Sequence, residues 1–199
     1  MTLKIDELTK QIDELNRRLS KEYAKTAKKY GFFVKKDNKV EFTKEARQKN
    51  KQAKLPLYRY VMPKNLRHLL SAPFIYSMII PTVIFDIFLW VYHSVAFPLY
   101  GIPKVKRSDY IIFDRKELDY LNLLQKINCL YCSYVNGFVV YLMEIAARTE
   151  RYWCPIKAAK KPKFHHSWYH DFADYGNPKQ WQDKFNQPDA FNKLKAPKS

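Results

Sequence analysis

The longest apolar stretch of the chain predicts a membrane segment. Residues 69–103 read LLSAPFIYSMIIPTVIFDIFLWVYHSVAFPLYGIP and contain no lysine, arginine or glutamate, so that Asp86 and His93 are the only side chains with readily titrating groups. A run of 18 or more apolar residues is typical of a bilayer-embedded helix, whereas a core helix of a soluble protein keeps a polar stripe at helical spacing. The pattern favours a membrane over the alternative, an unusually apolar buried helical hairpin in a soluble domain.

The length of this segment leaves its path through a membrane open. Its 35 residues would span about 52 Å as one helix, against about 30 Å of hydrocarbon. Pro81 is expected to kink the helix or break it in two, because proline lacks a backbone donor. Either residues 82–100 cross while residues 69–80 lie along the interface, or the segment enters and returns as a re-entrant hairpin.

The N-terminal sequence predicts an amphipathic helix. Its apolar positions fall on one helical stripe, and spacings of 4, 3 and 4 from Leu8 to Leu19 match a heptad seam. The seam covers fewer than the three or four heptads of a well-specified coiled coil. A protein partner is therefore expected through residues 1–20, and packing on the same domain or on lipid is the equal alternative. The stripe comprises Leu3, Ile5, Leu8, Ile12, Leu15 and Leu19.

Between this helix and the apolar segment, the pattern predicts a small hairpin and a basic helix. The hairpin turns at residues 35–39, KKDNK, and Thr43 has the position and side chain of a helix N-cap. Residues 44–67 are basic with interleaved leucine and tyrosine, which is typical of a juxtamembrane anchor for anionic headgroups. The alternative is a merely solvated basic helix.

A second long helix is predicted after the apolar segment, over residues 115–152. Asp114 is the expected N-cap, with Glu117 completing a capping box. Gly137 weakens this helix without ending it, and Pro155 stops it. The chain therefore divides into a basic helical N-terminal region (residues 1–68), the hydrophobic membrane segment (residues 69–103), and a Cys-containing helical domain with a basic aromatic tail (residues 104–199).

Two charged pairs stand out in the predicted helices. Glu144 and Arg148 lie four residues apart in the favourable order for an intrahelical ion pair. Asp86 and His93 are seven residues apart in the apolar segment and so share a helix face. Ionisable groups in membrane helices are costly and face protein or water, so this second pair is either a proton or ligand site or, more favoured here, an interfacial pair.

Charge changes the picture of partners and orientation. The chain carries 36 lysines and arginines against 19 acidic residues, a net charge of +17, which indicates an anionic partner. Membrane lipid fits better than nucleic acid, because no nucleic-acid-binding motif is present and the basic run abuts the apolar one. Residues 1–68 have a net charge of +11 and residues 104–199 of +7. The positive-inside rule therefore places both flanks in the cytoplasm, which requires a hairpin or a second crossing, for which residues 127–143 are the weak candidate.

All three cysteines, Cys129, Cys132 and Cys154, belong to the second long helix and its end. Cys129 and Cys132 lie at i and i+3, so their thiols face the same way and could hold one metal ion. If the chain folds back, Cys154 and His165 or its neighbour His166 would complete a Cys3His set, which is a zinc stoichiometry. Such a return requires the helix to break near Gly137.

Two other interpretations of the cysteines stay open. Cys129 and Cys132 form a C-x-x-C, as in membrane thiol-disulfide oxidoreductases, although Lys126 is the only local cation that could activate a thiolate. The third interpretation is a structural membrane protein with three reduced thiols that behave as small hydrophobic groups. No hydrolase or phosphate-binding signature is present, so the sequence does not decide whether the protein is an enzyme.

Three stretches carry a resemblance to a known family: DYLNLLQKINCLYCSYVNG, EIAARTERYWCPIK and HHSWYHDFADYGN. They resemble a family of small uncharacterised bacterial membrane-associated proteins, over roughly residues 56–177. The resemblance implies that the cysteines and the helix form one unit and that the membrane segment is part of the design. The expected location is the cell inner membrane, with the basic regions in the cytoplasm. The sequence as a whole predicts a mostly α-helical, membrane-associated protein that acts as a binding or scaffold component, with one long transmembrane or re-entrant segment.

Overall fold

The computed structural model describes residues 2–35, 39–57, 59, 66–160 and 162–195. The chain is mostly helical in this part, as the sequence predicts, with two short strands. The elements are α1 (Thr2–Tyr30), β1 (Phe32–Val34), β2 (Val40–Phe42), α2 (Lys44–Gln52), α3 (Leu66–Ser77), α4 (Ile79–Leu99), α5 (Leu123–Trp153), α6 (Pro178–Lys184) and α7 (Asn192–Lys195). Short 3-10 turns lie at Arg107–Asp109, Asp114–Glu117, Ser167–Asp171 and Pro188–Phe191.

The described residues form two compact units. One contains residues 1–63 and 114–128, and the other contains residues 64–113 and 129–199. This division differs from the three consecutive regions that the sequence predicts, because residues 114–128 belong with the N-terminal region. Within the first unit, Arg47 lies 3.3 Å from Asp119 in an ion pair, and Asn122 donates to the carbonyl of Leu55.

The predicted hairpin is present in the first unit. Strands β1 and β2 pair antiparallel, with Phe32 opposite Phe42. Gly31 makes the turn out of α1 with a φ of +65°, a conformation that costs glycine little. Thr43 is the N-cap of α2, and its side chain accepts a hydrogen bond from the Ala46 amide. The predicted strand pairing and the Thr43 cap are confirmed, and residues 36–38 of the predicted turn lie outside the described residues.

Helix α5 begins later than the sequence predicts. Asp114 and Glu117 form a 3-10 turn, and the helix starts at Leu123 after a capping box made by two other residues. Gln125 donates its amide to Asn122 Oδ1 at 3.0 Å, and Asn122 donates its amide to Gln125 Oε1 at 2.9 Å. An Asn-x-x-Gln box satisfies the same free amides as the Asp-x-x-Glu box that we expected.

The apolar segment forms two helices that meet at Met78. Pro81 is the third residue of α4, a position at which its missing amide hydrogen breaks no intrahelical bond. The chain therefore divides three residues before Pro81, in agreement with the predicted break. The buried residues of α4 form one stripe at helical spacing, which consists of Leu89, His93, Ala96 and Phe97.

Helices α4 and α5 run parallel to each other. The Tyr131 hydroxyl donates to the Ile75 carbonyl at 2.5 Å near the start of both segments, and the Tyr100 and Tyr152 rings stack at their ends. Intermediate contacts lie between these two: Phe85 meets Phe138, while His93 and Tyr92, farther along α4, meet the later residues Tyr141 and Thr149. Residues 75–100 thus progress in one direction along α5, and the hydrophobic segment does not double back as a re-entrant hairpin.

The chain returns between the two helices as an irregular stretch, residues 102–113, which contains the 3-10 turn Arg107–Asp109 and which we call the returning segment. Gly101, with a φ of +68°, reverses the chain, and the Ile102 amide closes the helix end on the Phe97 carbonyl at 2.9 Å. Farther along, the backbone of the returning segment packs on α5 at Gly137, where a Cβ atom would lie 2.8 Å from the Tyr110 carbonyl oxygen.

The core of the second unit lies where α4, α5 and the returning segment meet the C-terminal residues. Phe97, Ile145 and Phe191 are fully buried there. Arg151 is buried on α5 and donates to Asp171 at 2.6 Å. Helix α5 continues through Gly137 and ends at Trp153, two residues before Pro155, so the predicted end of the helix is confirmed.

Candidate membrane-binding site

Helix α4 presents a broad apolar face away from the core. Its outward positions repeat at helical spacing, opposite the buried stripe, and their exposed fractions reach 70% at Phe88. Stretches Leu70–Leu99 and Leu123–Trp153 are each long and apolar enough to span a membrane by length and composition, and they are 11% and 28% buried over their most apolar windows. Soluble proteins rarely expose contiguous apolar patches of this kind. The outward face consists of Ile80, Ile84, Ile87, Phe88, Val91 and Val95.

A groove separates the outward faces of α4 and α5. Phe85, Phe88, Leu89 and Tyr92 form its α4 wall, and Leu142, Ile145, Ala146, Thr149, Glu150, Trp153 and Cys154 form its α5 wall. Its volume is about 750 Å³, and its polar atoms come from the residues at one end. The groove lies within the second unit and opens beside the exposed Phe88.

The charged residue of the apolar segment faces the returning segment. Asp86 accepts hydrogen bonds from the two terminal nitrogens of Arg107 at 2.5 and 2.6 Å and from the Tyr134 hydroxyl at 2.7 Å. The Asp86 hydrogen bonds raise the pKa of the Arg107 guanidinium, and they outweigh burial, which lowers it. The same guanidinium lies 5.7 Å from the centre of the Tyr141 ring. Protein groups therefore neutralise Asp86, which needs no contact with lipid.

His93 is satisfied in the same way. The Val105 amide donates to His93 Nε2 at 2.9 Å, so this nitrogen carries no proton and the neutral ring holds its proton on Nδ1. Nδ1 lies 3.2 Å from the Tyr141 hydroxyl. Asp86 and His93 do share a helix face, as the sequence predicts. Both side chains fasten the returning segment to α4, and their position relative to a membrane interface stays a prediction.

The structure does not bring the predicted zinc ligands together. Helix α5 is unbroken from Leu123 to Trp153, so about 30 Å of helix separates Cys132 from Cys154 at 1.5 Å per residue. Within the described part of the chain, no three histidine, cysteine, aspartate or glutamate side chains are grouped as a metal site. The Cys3His arrangement required a break near Gly137, and the helix has none there.

The cysteines and histidines have separate surroundings. Cys129 and Cys132 are free thiols, both half-buried, and Cys154 is a free, exposed thiol. His166 pairs with Glu150 at 3.0 Å, while His165 stacks on Tyr169 with 5.2 Å between ring centres. A redox role for Cys129 and Cys132 stays a prediction.

The proposed interaction helix is partly described. Leu15 and Leu19 are 61% and 55% exposed on α1, as is expected of a heptad stripe to which no partner helix is bound. The side chains of Leu3, Ile5, Leu8 and Ile12 lie outside the described part, and the complete seam stays a prediction.

Sequence reasoning missed the returning segment and the groove. A signal for the first was present in Gly101, Pro103 and the charged residues that follow. The groove had none, because it depends on how α4 and α5 pair. No protein-family model matches the chain. No curated protein and no solved structure gives a significant match either. The resemblance to bacterial membrane-associated proteins therefore stays a prediction.

Proposed function

We propose that this protein is a membrane-attached binding or scaffold component, held in one leaflet by the outward faces of α4 and α5. The outward face of α5 consists of its exposed apolar residues Val139, Val140 and Met143. The arrangement of α4, the returning segment and α5 supports attachment from one side. If the parallel α4 and α5 both crossed the bilayer, the returning segment would have to cross it as well. That segment is irregular and exposes Lys106 and Asp109. Charged, non-helical backbone is not tolerated in contact with hydrocarbon.

Attachment from one side reconciles the charge distribution with the apolar segment. The proposal places the basic flanks, residues 1–68 and 104–199, on the cytoplasmic surface of the bacterial inner membrane without any crossing. Their excess of lysine and arginine binds anionic headgroups. Helix α1 is then available to a protein partner through residues 1–20.

Flotation with vesicles tests the attachment. Wild-type protein is expected to float with vesicles of phosphatidylethanolamine and phosphatidylglycerol and to resist carbonate washing. Phe88→Asp places a charge in the outward face of α4 and should reduce flotation by about tenfold. Phe164→Asp is the matched control, because Phe164 is 92% exposed and lies outside both apolar helices. Soluble wild-type protein, or equal flotation of the two variants, would contradict the proposal.

Labelling separates one-sided attachment from crossing. In a background without the native cysteines, single cysteines are introduced at Lys21, Ser108 and Tyr175 and treated with a membrane-impermeant maleimide. All three should react in inverted inner-membrane vesicles and none in intact spheroplasts. Opposite accessibility of Ser108 and either other position would show that the chain crosses the membrane.

A further inference from the structure

The groove between α4 and α5 has the shape and lining of a binding site for a hydrocarbon chain. One wall holds Phe85 and Phe88, and the other holds Leu142 and Ala146. Phe88 belongs to the outward face of α4, so the groove opens on the surface that the proposed function places in lipid. Its volume of about 750 Å³ is within the range of small-molecule sites, roughly 300–1,000 Å³.

We infer that this groove binds one acyl chain of a membrane phospholipid whose headgroup carries an amine. The inference rests on the proposed function, because the bilayer supplies the ligand. A partner helix is the competing occupant. The groove is open on one side, so its volume does not separate a helix face from a lipid chain; the acidic Glu150 at its polar end and the retained ligand do. A single chain fits beside the aromatic and aliphatic side chains of both walls.

The polar end of the groove selects the headgroup. Thr149 already bonds the Tyr92 hydroxyl at 2.8 Å and the Ile145 carbonyl at 2.9 Å. Glu150 is the acidic group at this end, and 47% of its side chain is exposed while it pairs with His166. A carboxylate attracts an ammonium group and repels the carboxylate of a free fatty acid. Charge complementarity therefore favours an aminophospholipid over a fatty acid.

Substitutions at equivalent outward positions of α5 test this site. Ala146→Trp fills the groove, since Ala146 lines it. Val139→Trp is the matched control, because Val139 lies two turns earlier on the same helix stripe, is 54% exposed and does not line the groove. Leu142→Trp is a second variant that fills the groove, from a position one helical turn before Ala146. Each full-length protein is bound to phosphatidylethanolamine and phosphatidylglycerol vesicles, extracted in detergent, and its retained lipid is counted by mass spectrometry.

The wild-type protein and Val139→Trp should each retain about one phosphatidylethanolamine per chain. Both filling variants should retain at least about fivefold less while still floating with vesicles and keeping wild-type helicity. Glu150→Gln should shift the retained lipid toward phosphatidylglycerol.

Several results would overturn the inference. These are equal retention by the filling variants, retained fatty acid in place of phospholipid, a co-purified protein with no lipid, and a lipid-free wild-type protein. If the wild-type protein floats but retains nothing, only the groove is wrong; if it does not float, the proposed function is wrong as well.

Discussion

Arg107 clamps Asp86 with two parallel hydrogen bonds of 2.5 and 2.6 Å, across 21 residues of sequence. The planar guanidinium matches the two carboxylate oxygens, a geometry that lysine cannot reproduce. Only 13% of the Asp86 side chain is exposed, against 43% of the Arg107 side chain. The pair therefore joins a half-buried carboxylate of α4 to a more exposed residue of the returning segment.

Replacing Arg107 alone should destabilise the protein more than replacing Asp86 and Arg107 together. Arg107→Ala leaves the half-buried Asp86 without its cation and is expected to lower the free energy of unfolding by about 2 kcal/mol. Asp86→Asn combined with the same Arg107→Ala leaves no unpaired charge and should lower it less, and Asp86→Asn alone completes the cycle. Thermal unfolding of the detergent-solubilised protein measures all three.

A control for this cycle lies on the same segment. Lys106 and Asp109 form an exposed pair at 3.9 Å, so Lys106→Ala should change stability by no more than about 0.5 kcal/mol. Additive effects of the Asp86 and Arg107 substitutions would argue against a clamp.

Replacing Gly137 by alanine should destabilise the protein, whereas the same change at an ordinary helical glycine stabilises it. Replacing glycine by alanine in a helix normally stabilises it by about 1 kcal/mol. Here the new Cβ would lie 2.8 Å from the Tyr110 carbonyl oxygen and 2.9 Å from Ile111 Cα. Gly137→Ala is therefore expected to destabilise the protein by about 1–3 kcal/mol. Urea unfolding checks the sign.

The neighbouring Asn136 supplies the comparison for this change. It is exposed on α5, so Asn136→Ala should be neutral or slightly stabilising. A stabilised Gly137→Ala variant would mean that the returning segment does not press on α5.

The local parts of the fold were accessible from sequence, and the long-range parts were not. Thr43, Pro155 and the break near Pro81 act on backbone groups within a few residues, so their effects follow from local chemistry. The start of α5 was misplaced because two capping boxes compete and both satisfy local rules. The parallel pairing of α4 and α5 depends on contacts between residues such as Tyr92 and Thr149, which no local pattern encodes.

Zinc content is expected to be independent of the cysteines. Because about 30 Å of unbroken helix separates Cys132 from Cys154, a shared ion is not expected. Cys154→Ala and the double variant Cys129→Ala/Cys132→Ala should have the same metal content as wild-type protein by plasma mass spectrometry. Stoichiometric zinc that is lost from both variants would restore the Cys3His hypothesis and would require a broken α5.

The candidate membrane-binding site was half visible in the sequence. The apolar composition of residues 69–103 indicated it, and the seven-residue spacing placed Asp86 and His93 on one helix face. The pairing of Asp86 with Arg107 was not foreseen, because the helical pattern of α4 gives no information on which later segment covers it.

Acid should weaken the attachment of the C-terminal residues to α5. Burial raises the pKa of Asp171, but hydrogen bonds from Arg151 and Lys184 outweigh it and hold the pKa below its ordinary value of 3.8. A lowered folded-state pKa gives stability that is present above the unfolded-state value and is lost as the pH falls through the folded-state value. Because 39% of the Asp171 side chain is exposed, solvent screens these interactions, and Asp171→Asn should cost about 1 kcal/mol near neutral pH. The difference from wild-type protein should shrink below pH 3.8.

Melting curves across this pH range measure the difference. Asp183→Asn is the control, because Asp183 is exposed on α6 and should track wild-type protein throughout. A difference for Asp171→Asn that is constant with pH would exclude titration of this carboxylate.

The parallel course of α4 and α5 has a consequence for folding during synthesis on the ribosome. Tyr92 meets Thr149 only after 57 further residues, which at about 5–20 residues per second takes roughly 3–11 seconds. During this interval Asp86 and His93 have been made, but the partners that cover them are still missing or arriving. The apolar face of α4 is complete from the beginning. Nascent α4 therefore exposes its apolar face to chaperones until α5 emerges, and under the proposed attachment the membrane surface would cover that face during this interval.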